Sequence, residues 1–296
     1  MPILHSYSGN WEEYKSLLRK YRLSSILKWI NKESIELANE GTVGATKRTQ
    51  VLFIQTGSRL VKKQDCLIMG WTLSDLAYHA ILSTNDYRGK EIETQNEFYS
   101  LVLAENAYHQ TTEQQAIEKV SGTIDFYAYL WGFCGEQFKY EATERVFENL
   151  VRDSYILFDI ADRIGIDYIN RIIYDELGVS WDILYASLLL TWTGSTLKNT
   201  VEDITNSVKW DDSFTKSAYY SVIDRYTSTI DDVRKSNLGR QALYSTPYVR
   251  VGSYTMCINR YLGIFAYEHC AFWIIRNYFN ALNSQQFTND FGVMFE

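Results

Sequence analysis

Proline is nearly missing from this chain of 296 residues. Pro2 and Pro247 are the two it has, so no residue between them removes a backbone donor or clashes with a preceding turn, and long helices can run there. Histidine is scarce too, at four, and the four cysteines, Cys66, Cys134, Cys257 and Cys270, lie far apart without a C-x-x-C pair. That leaves no disulfide framework and no zinc-type spacing, and the cysteines read as reduced, buried thiols. No Pro/Gly/Ser-rich stretch marks a flexible linker and no repeat period recurs. Lysine and arginine, 29 together, are outnumbered by 36 acidic residues, and the net charge of −7 argues against a bare, non-specific nucleic-acid binder. A phosphate-cradling glycine loop and a G-x-S-x-G elbow are both missing, so neither nucleotide hydrolysis nor serine esterase chemistry has a visible seat.

Long apolar runs are missing as well. Ile183 to Trp192 is too short to span a bilayer, and Tyr261 to Leu282 carries Glu268, His269 and Arg276 in its middle. Both read as buried core helices. The opening Met1-Pro2-Ile3-Leu4-His5 has no charged n-region and no apolar h-region, so the expectation is a cytoplasmic protein with no membrane partner.

What the chain has in excess is aromatic: 23 Tyr, 14 Phe and 8 Trp, within 46% apolar and 22% charged residues. A globular core is assured by that balance. Buried Tyr and Trp need partners for their polar tips, so the interior should be threaded with hydrogen bonds.

The fold class expected is mainly α, a multi-helix bundle with a small β-hairpin near 248–258. Asn10 caps a first helix with Glu12 and Glu13 in its first turn. Between 41 and 71, Val51-Leu52-Phe53-Ile54 and Cys66-Leu67-Ile68-Met69 are short apolar runs that periodicity cannot divide between strand and buried helix. Helices follow from Thr72, from Thr94 to His109, from Thr111 or Thr112, over 141–164 until Gly165, and over 167–177, 180–193, 197–208 and 213–235. Ile124 to Phe138 is aromatic enough to be central. Tyr248-Val-Arg-Val251, Gly252-Ser253 and Tyr254-Thr-Met-Cys-Ile258 make the hairpin signal. A very apolar helix from about Tyr261 to Leu282 closes the pattern. Residues 1–240 thus read as a helical domain, and 241–296 as a hairpin plus apolar helix packing on it, ending where a further domain would start.

Two helices carry a carboxylate and an imidazole four residues apart: Asp75 with His79, and Glu105 with His109. If the helices faced each other the four could chelate a divalent metal, although such sites normally space Glu and His by three and add carboxylates. Ordinary intrahelical pairs or surface residues are the plainer reading. Glu268 and His269, beside Cys270, form a buried polar point to be paired or neutralised, by the hairpin or by Arg260. Adjacent helix positions diverge by about 100°, which disfavours a Cys-His catalytic pair there. The densest basic stretch, Lys47, Arg48, Arg59, Lys62 and Lys63, is either a nucleic-acid or partner patch or a solvated surface. A helical ribonuclease of the HEPN type carries Arg, four to six residues and then His on a helix, and none of the four histidines has an Arg at that upstream spacing.

The stretch Leu243-Tyr-Ser-Thr-Pro-Tyr-Val-Arg-Val251, the strand with Met256-Cys-Ile258, the helix through Tyr278-Phe279 and then Phe287-Thr-Asn-Asp-Phe-Gly-Val-Met-Phe-Glu296 resembles a junction in certain bacterial proteins. In those, a long helical N-terminal region precedes a nuclease domain of the restriction-endonuclease-like, PD-(D/E)xK class. The resemblance implies that Glu296 matches the family's first acidic position, and that an Asp and an acid-x-Lys holding Mg2+ would follow it. The one acid-x-Lys triplet present, Glu13-Tyr14-Lys15, sits in the first helix. On this reading the chain has no catalytic residue or cofactor of its own. It is a non-catalytic recognition, regulatory or assembly module of a defence or restriction-like nuclease. Its partner is then another protein or its own C-terminal nuclease domain, with DNA reached through that domain. The alternatives are a stand-alone helical-bundle metal-dependent enzyme and a homo-oligomeric scaffold using an aromatic face.

Overall fold

A computed structural model of the chain describes residues 9–39, 46–54, 61–84, 87–121, 165–210 and 214–281, with Tyr7 and a few single positions between 151 and 163. The chain is mainly helical with two small sheets. Helix α1 (Trp11–Leu18) starts as its sequence dictates, with Asn10 Oδ1 accepting from the amides of Glu12 and Glu13. Helix α2 (Leu23–Asn39) buries Leu23, Ile26, Leu27, Ile30 and Leu37 along one stripe, each worth about 1.5–3 kcal/mol of apolar burial.

The undecided stretch after α2 is a hairpin. Strand β1 (Thr46–Ile54) pairs antiparallel with β2 (Val61–Met69), with Val51 opposite Gln64 and Thr49 opposite Cys66. Its burial alternates with period two: Val51, Cys66 and Ile68 face the core while Leu52 and Leu67 stand outside. Helix α3 (Gly70–Ser83) follows β2 without a loop, and α4 (Gln95–Val120) opens on a capping box between Thr94 and Glu97. Here the expected new helix at Thr111 or Thr112 does not occur. Both hydroxyls instead bond back to the carbonyls of Ala107 and Tyr108, at 2.9 and 3.1 Å, so the threonines lie inside one helix of 26 residues.

The second half runs α5 (Ile166–Leu177), α6 (Trp181–Gly194), α7 (Val201–Ser207) and α8 (Lys216–Arg225). The long helix expected over 213–235 is broken. Thr227–Thr229 forms strand β3, and Thr229 then caps a short α9 (Ile230–Lys235) through a second capping box. Three small β-compatible residues gave too short a run to be seen as a strand. A 3-10 turn (Gly239–Gln241) and a single turn α10 (Ala242–Ser245) lead to β4 (Tyr248–Val251) and β5 (Tyr254–Cys257). The expected hairpin is present, with Gly252 at φ 62° in its turn, and β3 adds to it in parallel beside β4. Helix α11 (Arg260–Ala281) ends the described part. The expected helix over 141–164, the aromatic run Ile124–Phe138 and the segment from Ser284 fall outside the described residues apart from single positions.

Two clusters make up most of the core. One joins α1–α4, the first hairpin and part of 233–262; the other joins α5–α8 with Tyr248, Cys257 and most of α11. Many ring tips are satisfied as their burial requires: Tyr219 to Thr191, Trp29 Nε1 to the Ile92 carbonyl, Trp210 Nε1 to the Thr205 carbonyl. Trp192 Nε1 is buried without an acceptor from the protein.

Candidate functional site

Helices α3 and α4 set residue 79 opposite 105 and residue 75 opposite 109, which is an antiparallel register. The four acid and imidazole residues singled out by spacing therefore do meet, but crosswise. His79 Nδ1 lies 2.9 Å from Glu105 Oε2, and His109 Nδ1 lies 3.7 Å from Asp75 Oδ2. Side chains four apart on one helix point the same way, so each reaches more readily across than along.

Two residues missed by sequence complete the cluster. Tyr14, which the pattern of α1 assigns to an apolar face, donates its hydroxyl to Glu105 Oε2. Arg240, on the 3-10 turn, bonds both oxygens of Asp75 through Nη1. Nothing local in sequence connects Arg240 with α3; only the tertiary path does. Trp11, Tyr14 and Tyr108 wall His79 with ring centroids 5.2–5.8 Å away. Glu105 is wholly buried and its Oε1 receives no donor from the protein.

Burial governs the protonation of this group. It pushes the Asp75 carboxyl up, against the opposing pull of Arg240. It pushes His79 down, but the charge and hydrogen bond of Glu105, with Asp75 beyond, carry the imidazole above its ordinary value. The Tyr14 phenol is held well above its usual range by burial and by Glu105, so it stays a donor. Side chains of His79 and His109 keep 17% and 29% of their surface, which leaves the imidazoles as the reachable edge of the cluster. Among the described residues no group of three or more His, Cys, Asp or Glu side chains stands where it could hold a metal ion.

The segment that carries Arg240 has a second face. Gln241 and α10 border a cavity of about 520 Å³, lined mainly by Tyr226, Tyr244, Phe265, Cys270 and Trp273, with Arg225 and Asn277 among its polar groups. Arg225 is itself tied to Glu176 at 3.2 Å. Its walls come from α8, the 3-10 turn, α10 and one stripe of α11. Because α11 is apolar nearly all round, no amphipathic signal in the sequence marks that stripe.

The other expected points separate. Alternation in β1 turns Lys47 inward, onto Glu33 at 3.1 Å and Glu36 at 3.0 Å, while Arg48 and Lys63 face outward. Burial lowers and these two carboxylates more than restore the Lys47 ammonium, so it is a fixed cation of the fold. Arg59, Glu296 and the side chain of Lys62 lie outside the described residues. Glu268 does not pair with Arg260, whose guanidinium bonds the Trp192 carbonyl and lies 4.6 Å over that ring. It stands instead 3.9 Å from His269, which packs edge-on against Phe265.

No family model, curated protein or solved structure matches the chain. No helix among the described residues is long and apolar enough to cross a membrane.

Proposed function

We propose that this chain is a helical-bundle recognition and regulatory module that takes a small, largely apolar ligand between α8, α10 and α11, and that it serves a bacterial nuclease of a defence or restriction-like system. The cavity carries the first part. Its volume and lining, mostly aromatic with a few polar groups, suit a compact organic ligand. Its wall is the segment from which Arg240 reaches Asp75, so a ligand pressing on that wall acts on the charge cluster as well. The second part is supported by the resemblance over 243–296 alone.

A thermal-shift screen of aromatic and heteroaromatic fragments tests the ligand reading. A binder raises the melting temperature, by an amount equivalent to about 2.7 kcal/mol at a hundred times its dissociation constant, and Ala266→Phe, which fills the cavity, removes the effect. Failure of every such fragment to stabilise the chain would sink it. Cleavage of DNA by the purified chain with Mg2+ would sink the claim that the nuclease centre lies elsewhere.

A second reading, an enzyme working at the α3–α4 cluster, is favoured by the convergence of two imidazoles and two carboxylates. Acid–base chemistry there would use His79 and His109 as the accessible proton carriers. A metal-dependent form requires Arg240 to leave Asp75 first. Full activity of a His79→Ala, His109→Ala double variant on any substrate the chain turns over would dismiss this reading.

A further inference from the structure

A smaller cleft of about 230 Å³ lies between α2 and the turn that follows α6. Three of its lining residues are lysines: Lys28 and Lys32, one helical turn apart on α2, and Lys198 on the turn. No carboxylate among the described residues lines it, in a chain whose net charge is −7. None of the three lysines forms an ion pair among the described residues; Lys32 alone has an electrostatic neighbour, the Trp29 ring at 4.9 Å. The acids closest in sequence are engaged elsewhere. Glu36 is on Lys47, Asp203 accepts from the Thr200 cap, and Glu202 accepts from the amide of Thr255.

The scaffold around these cations is fixed. Asn31, buried between Lys28 and Lys32 in sequence, donates its amide to the Ser195 carbonyl at 3.1 Å and so pins the turn to α2. Within the turn the amides of Leu197 and Lys198 both bond the Gly194 carbonyl at 3.0 Å, and Thr196 Oγ1 bonds the Thr193 carbonyl at 2.7 Å. Asn199 lines the same space, and its side-chain amide makes no hydrogen bond among the described residues. Three ammonium groups and an amide on a fixed frame, with no acid among the described residues beside them, form a surface suited to an anion.

We infer that this cleft binds the phosphate end of a small phosphorylated molecule through Lys28, Lys32 and Lys198. The volume is too small for a whole nucleotide and suits a phosphoryl or pyrophosphoryl group with the rest of the ligand outside. One face of Trp29 is stacked on Phe98, and Lys32 lies over the ring as well, so the grip is ionic rather than by base stacking.

Calorimetry of the purified chain with inorganic phosphate, pyrophosphate and adenosine monophosphate tests this, with fluorescence anisotropy of a short single-stranded oligonucleotide as a separate arm. Saturable binding is expected, tighter for pyrophosphate than for phosphate, and weakened about tenfold or more by Lys32→Gln or Lys198→Gln, as loss of a charge-assisted bond requires. Lys119→Gln, on α4, should change nothing. Circular dichroism should show the variants folded, since all three lysines are exposed. Preference for adenosine monophosphate over inorganic phosphate would point to an organic ester as the natural ligand; the reverse would point to the free anion. The inference is overturned if pyrophosphate shows no saturable binding at millimolar concentration, if the glutamine variants keep wild-type affinity, or if the oligonucleotide alone binds.

Discussion

Arg240 places one guanidinium nitrogen 2.7 and 2.6 Å from the two oxygens of Asp75, across a sequence separation of 165. Asp75 is buried, so the pair holds out of water a carboxylate whose charged neighbours among the described residues are this cation, the imidazoles and the repelling Glu105. Removing the cation is worse than removing both charges. Arg240→Gln should therefore lower unfolding free energy by about 3–5 kcal/mol, and Asp75→Asn in the same chain should recover part of that. Urea denaturation of the two single variants and the double variant measures it; additive losses would show the contact to be incidental.

His79 provides a pH signature. Its imidazole is held above the ordinary 6.5 in the folded chain, so the folded state binds the proton more tightly than the unfolded one. The stabilisation is complete below the unfolded value and is lost as pH rises through the folded value. Melting temperature should fall as pH climbs from about 6.5, and His79→Gln should flatten that fall. An unchanged profile in the variant would mean another group titrates.

Gly9 tests how closely α4 passes the start of α1. Its φ is +71°, and an added Cβ would run into Thr111 Oγ1 and come within 2.8 Å of the Ala107 carbonyl oxygen. Strain and overlap together make Gly9→Ala costly by about 1–3 kcal/mol. Adding Thr111→Ala should recover only part of that loss, since it removes the Oγ1 contact while those to the Ala107 carbonyl oxygen and the residue 111 Cβ, with the φ penalty, remain.

The first hairpin depends on an asparagine. Asn96 takes the Leu52 amide on Oδ1 at 2.6 Å and gives Nδ2 to the Leu52 carbonyl at 2.8 Å, so it mimics a neighbouring strand at one residue of the β1 edge. Asn96→Ala should cost about 0.5–1.5 kcal/mol per lost bond and should speed hydrogen exchange at Leu52 more than at Leu73. Equal changes at both amides would indicate global weakening instead.

Cys66, Cys257 and Cys270 are buried free thiols, and burial pushes Cys66 and Cys257 up to about 12. Iodoacetamide at neutral pH should leave all three unmodified in the native chain and label them in urea, read by peptide mass spectrometry. Native labelling of Cys66 would require the first hairpin to open.

Helices marked by a cap or a glycine stop were readable from the residues, because those signals are local: Asn10, Thr94 and Gly178 each do what their chemistry implies. Thr111 misled because the same hydroxyl that caps a helix can bond back inside one. Thr227–Thr229 was lost because a three-residue strand exists only by virtue of Tyr248–Arg250 beside it. At the cluster, the four spaced residues could be named from sequence, but the crossing of their pairs depends on how α3 lies against α4. Arg240, Tyr14 and the cavity were out of reach, since each is joined by folding alone. The lysine cleft left half a trace in the Lys28 and Lys32 spacing; Lys198 had none.

Helix α11 gives Tyr261 and Leu262 to one core cluster and Ala271 and Ile275 to the other. A ribosome adding about 5–20 residues per second delivers it after every partner it covers among α1–α8. Until then the nascent chain must carry two unfinished apolar surfaces, which makes the wait for this helix the interval in which a chaperone would matter most.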